Sequence, residues 1–343
     1  MNYWQIGSGD SDRDYSNVFF DFGVALVGPG DYGNFIKNRS EYDFKAPNDI
    51  KKIEPLLRMK KGDRIVLRKG RKIILAVGEI IDGQYGYSSL FSDIDGWDLQ
   101  HYIRVDWRQL EFKFENSILS MSTLEGLDHP EVKNVVEQKW DKSPRKTKKY
   151  ELSEIPVVEY PKDRLDDEAL ETFLIEKGFR IIDAENMTRT ISRVRKLGMW
   201  YLKERGENSS EHEVRTFLII PFFQSLGWSE QRIGIEVPDG KRKIDIVFYS
   251  DSGRKKPIVL IETKKIWTGL EYAYGQIKDY AKKFPTVQYL ITTDGLRYTL
   301  YQQINGRWEE TAYMNFRKML DRHSCYPNIR GVTYLINQLL SIK

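Results

Sequence analysis

Two apolar stretches, Lys243-Ile-Asp-Ile-Val-Phe248 and Leu260-Ile-Glu-Thr-Lys-Lys265, decide the fold of the C-terminal half of this chain. Both are rich in β-branched residues, and the segment between them carries the serine, aspartate and glycine of a turn, so we expect a β-hairpin. Such a hairpin brings Asp245 beside Glu262. Because side chains alternate along a strand, Glu262 and Lys264 lie on the same face of it.

A helix upstream can present a third carboxylate to this hairpin. Glu211, Arg215, Leu218 and Phe222 follow one another at the i, i+4, i+7, i+11 spacing of one helical face. We therefore expect Glu211 to approach the two strand carboxylates. Glu213 lies on the same predicted helix and is the alternative.

Three carboxylates at one place repel one another unless a cation neutralises them. Carboxylate oxygens favour hard ions, so the pattern predicts Mg²⁺, with Mn²⁺ as a substitute. A bound ion would polarise a phosphate and activate water, and the Lys264 ammonium would orient that water or offset negative charge. The alternative is structural, with Asp245 and Glu262 paired to Lys243 and Lys264 as salt bridges on the surface of the hairpin.

The elements predicted around the hairpin make a mixed α/β core. Three helical patterns precede it, and each ends at a glycine of the kind that closes helices. The predicted elements are helices over 165–177, 184–205 and 210–226, strands over 233–237, 243–249 and 258–262, a helix over 270–284, and strands over 288–292 and 297–303.

These residues resemble the signature of the PD-(D/E)xK nuclease superfamily. Glu211, Asp245 and Glu262-Thr263-Lys264 match its acidic residues and its lysine, and Gln276-Ile-Lys-Asp-Tyr280 is similar to a Gln-x-x-x-Tyr motif found in several branches. The resemblance implies a role for each member: metal ligands at Glu211, Asp245, Glu262 and Thr263, a catalytic lysine at Lys264, and DNA-positioning side chains at Gln276 and Tyr280.

A closer resemblance is to the nuclease domain at the N-terminus of type I restriction motor subunits, over residues 207–303. The motifs that carry it are Ser210-Glu-His-Glu-Val-Arg215, Pro221, Leu226-Gly-Trp228 and Thr292-Thr-Asp-Gly295. The spacing of Glu211 from Arg215 matches the family pattern, which favours Glu211 over Glu213. Ile244 stands where the superfamily name has a proline, a position at which proline is commonly lost.

The N-terminal part shows short β patterns separated by glycines, which predicts a small β-barrel with a few helices. Strands are predicted over 3–6, 18–27, 64–67, 73–81 and 102–107, and a helix over 128–140 with Pro130 in its first turn. Gly28-Pro-Gly-Asp-Tyr-Gly33 has the spacing of a dinucleotide-binding loop. The segment after it is too short for a crossover helix, so we expect no nucleotide site there.

Asn2-Tyr-Trp4, Lys61-Gly-Asp63 and Ile103-Arg-Val-Asp-Trp107 look like the EVE branch of the PUA-like superfamily, over residues 1–140. That branch is associated with modified bases held in aromatic pockets, which implies a flipped base such as 5-methylcytosine. The predicted pocket has Trp4, Tyr32 and Trp97 as aromatic walls and Ser8 and Asp31 as polar readers of the base edge. Trp4 also lies within a β pattern, so it could instead belong to the core.

Composition sets the remaining expectations. The chain has 343 residues, with 54 Lys and Arg, 50 Asp and Glu, four His and one Cys. A lone Cys325 excludes an internal disulfide and a cysteine-rich zinc site, and neither a signal peptide nor an apolar span of about 18 residues is evident, so we expect a cytoplasmic protein off the membrane. The net charge of +4 neither supports nor opposes nucleic-acid binding, because the distribution of charge is what matters.

The sequence thus predicts a modified-base reader over 1–140, a basic linker over 141–163 and a nuclease domain over 164–343. The expected function is modification-dependent cleavage of double-stranded DNA in the restriction of modified foreign DNA, by a homodimer because two strands need two sites. No G-x-x-x-x-G-K-[ST] motif occurs, so no nucleotide cofactor is expected. The alternatives are a repair or phage-defence nuclease that needs no modification, a non-catalytic protein that binds modified nucleic acid, and an RNA target.

Overall fold

The computed structural model describes residues 1–10, 13–146 and 164–342, and the chain divides into two compact units, Met1–Tyr160 and Pro161–Lys343. Each unit combines helices with a sheet, so the expected mixture of helices and sheets is confirmed. Most of the predicted linker, residues 147–163, lies outside the described residues. Its first part stays with the first unit, since the Lys146 amide donates to the Trp107 carbonyl at 2.9 Å.

The first unit is built on a curled sheet. Its elements in chain order are β1 (Tyr3–Gly7), α1 (Ser16–Phe22), β2 (Val24–Val27), α2 (Arg39–Lys45), α3 (Pro47–Arg58), β3 (Arg64–Lys69), β4 (Ile73–Ile80), β5 (Gly86–Tyr87), β6 (His101–Lys113), β7 (Leu124–Gly126) and α4 (Pro130–Trp140). The strand order is β2-β6-β4-β3-β1-β7, with β5 paired to β6. Strands β1 and β3 run parallel, and the other pairs are antiparallel. Within the described residues β2 and β7 are the two edge strands of this order. The sheet is therefore a half-barrel, whereas the sequence predicted a small barrel.

Helix α1 occupies the first half of the segment that the sequence predicted as a strand over 18–27, and β2 occupies most of the second half. The prediction was wrong because the apolar residues of this segment form a continuous run, and a short run without periodicity does not distinguish a helix from a strand. Nearly all of α1 is buried. Gly23 ends the helix in the left-handed conformation at φ +60°, with its N–H donated to the Phe19 carbonyl, and β2 begins directly after it.

The second unit is built on a mixed sheet. Its elements in chain order are α5 (Asp167–Glu176), α6 (Ile181–Glu204), α7 (Glu211–Val214), a π-helical segment (Arg215–Ile219), α8 (Ile220–Ser225), β8 (Ile233–Asp239), β9 (Arg242–Tyr249), β10 (Pro257–Thr263), α9 (Glu271–Ala281), β11 (Tyr289–Thr293), β12 (Arg297–Ile304), β13 (Arg307–Asn315) and α10 (Val332–Ser341). The strand order is β13-β12-β11-β10-β9-β8. Only β10 and β11 run parallel among these described pairs.

The sheet of the second unit is buried on both faces. Leu260 of β10 packs in one apolar cluster with Ile277 of α9, whereas its neighbour Ile261 packs in another with Leu218 of the π-helical segment. Strand β10 is therefore an interior strand, and polar side chains at its end are held in a largely buried environment. No helix in the described ranges is long and apolar enough to cross a membrane.

Candidate active site

The hairpin of β9 and β10 brings Asp245 and Glu262 to neighbouring positions. Ile246 pairs with Ile261 in the antiparallel register, so Asp245 and Glu262 come next along the two strands. The Asp245 carboxylate is tied to β10, because its Oδ2 accepts hydrogen bonds from both the amide and the hydroxyl of Thr263 at 2.8 Å. These two bonds fix the orientation of Asp245 independently of any ligand.

Glu262 is a buried carboxylate that is only half satisfied. Its side chain is 2% exposed, and its Oε1 accepts a hydrogen bond from Lys264 Nζ at 2.8 Å. Its Oε2 has no hydrogen-bond partner among the described residues. Burial raises the pKa of Glu262 to about 7, and the charges of Asp245 and Glu211 add to this rise while Lys264 opposes it. A buried oxygen without a partner destabilises the fold, so its presence here calls for a functional reason.

Lys264 shares the face of Glu262, as the strand spacing predicts. Burial disfavours its ammonium, but the charges of Glu262, Glu211 and Asp245 outweigh burial and raise the pKa of Lys264. The Lys264 amide donates to the Thr293 carbonyl at 2.9 Å, which attaches the end of β10 to β11. Lys264 is therefore a protonated side chain held beside a carboxylate that burial drives towards neutrality.

Arg215 enters this site from the π-helical segment, and sequence reasoning used it only to choose between glutamates. Its side chain is 7% exposed, and its Nη2 donates to Asp245 Oδ1 at 3.1 Å and to Thr263 Oγ1 at 3.4 Å. Its Nη1 donates to Glu236 Oε1 at 3.2 Å. A π-helical turn inside a helix re-aims side chains and is frequent at functional sites. The signal available in the sequence was an arginine on the apolar face of a helix.

The two candidate glutamates of α7 have different partners. Glu213 forms a capping box with Ser210, whose amide donates to Glu213 Oε2 at 2.9 Å, and it pairs with Arg205 at 3.7 Å. Glu211, in contrast, contributes to the raised pKa values of both Glu262 and Lys264, which places its charge near them. The capping box and the Arg205 pair thus commit Glu213 to the helix end, whereas the charge of Glu211 acts on Glu262 and Lys264.

Gln276 and Tyr280 of α9 lie against the strand that carries Asp245. The Tyr280 hydroxyl donates to the Lys243 carbonyl at 3.1 Å, and Gln276 Nε2 donates to the Tyr280 hydroxyl at 3.4 Å. Tyr280 is 3% exposed, so its ring is part of the packing between α9 and the sheet. The described contacts give both residues a role in holding β9 just before Asp245; the predicted contact with DNA stays a prediction.

The loop after Lys264 is anchored by Asp294, a residue that the sequence marked only as part of a motif. Asp294 is fully buried, and its Oδ2 accepts from the Trp267 amide at 2.8 Å and from the buried Arg297 guanidinium at 2.7 and 3.0 Å. The Trp267 backbone has φ +66°, which a bulky residue adopts only when its surroundings hold it there. The segment just after the catalytic lysine candidate is therefore fixed by buried ionic contacts.

Donor chemistry at this site fits a hard divalent ion, although the described side chains do not form a complete ligand set. No three His, Cys, Asp or Glu side chains in the described part of the chain come close enough to hold an ion by themselves. Asp245 and Glu262 do adjoin each other, and the unpaired Glu262 Oε2 is a ready ligand atom. Mg²⁺ is commonly bound by one or two carboxylates and keeps several waters, so this pair is compatible with it. Thr263 uses its hydroxyl and amide on Asp245, so the carbonyl is the group it would offer.

The residues predicted for the base pocket fall into three groups of contacts. Trp4 is 8% exposed and its Nε1 donates to Asp63 Oδ2 at 3.1 Å, so it is held in the core of the first unit. Trp97 is half-buried and its ring centre lies 5.9 Å from that of Tyr15, whose amide donates to the carbonyl of the buried Ser8. The Trp97 indole nitrogen has no hydrogen-bond partner within the described residues.

The remaining two pocket residues lie at the loop before α2. Tyr32 is half-buried, and its ring centre is 5.4 Å from that of Tyr42 in an edge-on arrangement. Asp31 is exposed; burial raises the pKa of Tyr42, and the charge of Asp31 adds to this rise. Trp97 is linked to Ser8 through Tyr15, and Tyr32 and Asp31 both act on Tyr42. None of these contacts involves Trp4.

Two family models match separate parts of the chain, one within each unit. Residues 210–315 match the family described as the type I restriction enzyme R protein N terminus (HSDR_N). Residues 4–127 match a domain of unknown function, DUF8426. No curated protein matches the chain. The chain therefore contains a restriction-enzyme-like domain, and the matched residues include Glu211, Arg215, Asp245, Glu262 and Lys264.

Proposed function

We propose that this protein is a restriction endonuclease that hydrolyses double-stranded DNA with Mg²⁺ at the site of Asp245, Glu262 and Lys264. The observation that carries the proposal is the buried Glu262 carboxylate, which has one oxygen on Lys264 and the other without a partner among the described residues. A structural salt bridge would satisfy both oxygens or lie in solvent. The match of residues 210–315 to a restriction-enzyme domain supports the same reaction class.

The ion would be held by the carboxylates of Asp245 and Glu262 and by the Thr263 carbonyl, with the Glu211 carboxylate nearby. A bound ion polarises the scissile phosphate and makes a coordinated water more acidic. Lys264 would hold the attacking water with its ammonium and offset the negative charge that develops on the phosphate. Arg215 keeps the Asp245 carboxylate in place through its contact at 3.1 Å. Gln276 and Tyr280 would position the DNA backbone next to β9.

We also propose that the first unit selects DNA that carries a modified base and that two copies of the chain cooperate to cut both strands. The indole N–H of the half-buried Trp97 has no partner in the described ranges, which supports a reading role, because such a donor can bond to the edge of a flipped base. Ser8, Asp31 and Tyr32 remain proposed members of that pocket. Trp4 is proposed only as its support, since its indole nitrogen is used by Asp63.

The decisive experiment is a cleavage panel of cytosine-modified, adenine-modified and unmodified duplexes, each with Mg²⁺ or with EDTA. We expect Mg²⁺-dependent cleavage of a modified duplex, and we expect Asp245→Asn and Lys264→Ala each to slow it by at least about 100-fold. Lys265→Ala is the matched control, because Lys265 is the exposed neighbour of Lys264 and should leave the rate unchanged.

Three outcomes would correct the proposal in different ways. Equal cleavage of modified and unmodified duplexes would remove the reader function and leave the nuclease. Cleavage of RNA but not DNA would change the substrate. Absence of cleavage by the parent protein with Mg²⁺ or Mn²⁺ would leave a nucleic-acid-binding protein.

A further inference from the structure

A row of cations runs along one exposed face of α6. Arg189, Arg193, Lys196, Trp200 and Lys203 follow one another at alternating spacings of four and three residues, which places them on a single stripe of the helix. All of them are exposed, and Trp200 is 50% exposed despite its size. We call these five residues the α6 stripe.

The opposite face of α6 fixes the helix against the second unit. Ile191 and Val194 are buried in the same apolar cluster as Leu218 of the π-helical segment. Gly198 packs so closely against the turn between β11 and β12 that an added Cβ would come within 2.5 Å of Leu296 Cδ2. The α6 stripe is therefore presented on a rigid helix.

Three cations of the α6 stripe have no carboxylate partner in the part of the chain that the structure describes. Their neighbours do have one: Arg195 pairs with Asp167 at 3.6 Å, and Lys203, at the end of the stripe, pairs with Glu204 at 3.1 Å. The unpaired three are Arg189, Arg193 and Lys196. Like charges at such spacings weaken a helix, so an unneutralised row favours an anionic partner over a purely structural role.

The α6 stripe ends close to the proposed active site. Arg205, two residues beyond Lys203, pairs with Glu213 at 3.7 Å, and Glu213 belongs to the same short helix as Glu211. Among the residues of α6 itself, acidic side chains stand next to the stripe in sequence only at its ends, at Glu185 and Glu204. A polyanion that follows the stripe would therefore be led to the edge of the site.

We propose that the α6 stripe binds the phosphate backbone of double-stranded DNA alongside the nuclease site. From Arg189 to Lys203 the stripe is about 21 Å long at 1.5 Å per residue, which corresponds to about six base pairs at 3.4 Å each. The exposed Trp200 lies between the cations and would cover sugar surface between the phosphates that they bind. This inference rests on the proposed function and names a surface by which the DNA is held.

The test is DNA binding in EDTA, where no cleavage occurs. Binding of a short labelled duplex is measured by fluorescence anisotropy at several salt concentrations for the parent protein and for the triple variant Arg189→Gln, Arg193→Gln, Lys196→Gln. If each cation neutralises one phosphate, the triple variant lowers the slope of log Kd against log salt by about 2.7. Trp200→Ala should weaken binding without changing that slope, because an indole carries no charge.

The matched control removes the same formal charge elsewhere in the second unit. Lys255→Gln, Lys256→Gln, Arg307→Gln replaces three exposed cations, two between β9 and β10 and one at the start of β13. None of these three cations has an ion pair within the described residues. We expect its salt slope to equal that of the parent. Circular dichroism of each variant verifies that α6 is intact.

An equal loss of slope in both triple variants would overturn the inference, because it would reflect net charge alone. The inference would also be overturned if the α6 triple variant lost binding to an RNA duplex but bound the DNA duplex as the parent does. The proposed function fails separately: if the α6 triple variant loses DNA binding but the parent cleaves nothing with Mg²⁺ or Mn²⁺, the surface stands and the nuclease does not. If instead the parent cleaves DNA and the α6 triple variant binds DNA as tightly as the parent does, the nuclease function stands and the DNA-binding role of the α6 stripe does not.

Discussion

Two buried titratable side chains, one on the sheet of each unit, differ in how their polar atoms are satisfied. His101 in the first unit is fully buried, and its Nδ1 meets the Tyr85 hydroxyl at 2.7 Å while its Nε2 meets the Tyr42 hydroxyl and the Pro29 carbonyl at 2.9 Å. Glu262 in the second unit has one oxygen on Lys264 and, within the described residues, none on the other.

The difference separates a structural network from a candidate reactive group. Polar atoms that are all paired stabilise a unique arrangement, as around His101, whereas a buried oxygen without a described partner, such as Glu262 Oε2, calls for a ligand or a reaction that uses it. The directions of the pKa shifts agree with this distinction. Burial lowers the pKa of His101 to about 4 and raises that of Glu262 to about 7, so both favour the neutral form, but only Glu262 lies beside a cation and a second carboxylate.

The largest effect that tests this comparison is expected from Glu262→Gln. The amide keeps the shape of the side chain but cannot hold a divalent ion as a carboxylate does, so DNA cleavage should fall by about 1,000-fold, or roughly 4 kcal/mol in the barrier. Single-turnover cleavage measures the rate, and thermal unfolding verifies the fold. A Glu262→Gln protein that cleaves as fast as the parent would show that the unpaired oxygen has no catalytic use.

A smaller effect, on stability alone, is expected from His101→Leu. Removing the imidazole leaves the hydroxyls of the buried Tyr42 and the half-buried Tyr85 with fewer partners, which should lower the free energy of unfolding by about 3 kcal/mol. Urea denaturation of the full chain measures it. His129→Gln is the control, since His129 is only half-buried and should change stability by less than about 0.5 kcal/mol. A loss of cleavage at saturating DNA without a loss of stability would contradict the structural role of His101.

The smallest effect is a difference in pH dependence between the two units. The folded pKa of His101 lies below its ordinary 6.5, so its stabilising contribution is present above about pH 6.5 and is lost as pH falls towards 4. The folded pKa of Glu262 lies above its ordinary 4.5, so in metal-free protein its contribution is present below about pH 4.5 and is lost as pH rises through 7.

Unfolding curves of the metal-free full chain from pH 4 to pH 8 check both signs. His101→Leu should flatten the acid side and Glu262→Gln the neutral side of the curve. His323, whose pKa burial also lowers to about 4, contributes to the acid side in parent and variant alike, so the difference between the two reports His101. If both substitutions flattened the same side of the stability curve, the buried groups of the two units would not differ in pH dependence.

Local sequence was sufficient for the hairpin of β9 and β10 and for the helix ends. Alternation of apolar residues, turn chemistry between the strands and terminal glycines act within a few residues, so the amino-acid sequence alone places Asp245 and Glu262 on neighbouring strands, with Lys264 just after the second strand. The same local logic failed for α1, where a continuous apolar run is compatible with either a helix or a strand.

What the sequence by itself determined is therefore the set of acidic and basic residues and the strands that carry them. Only the tertiary structure decided partners beyond the local helix cap: Arg215 binds Asp245, and Asp294 holds the loop after Lys264. These contacts join segments far apart in the chain or depend on which way a helix turns its side chains. Burial, which leaves Glu262 Oε2 without a described partner, arises from the packing of the whole unit, and a sequence pattern contains no record of it.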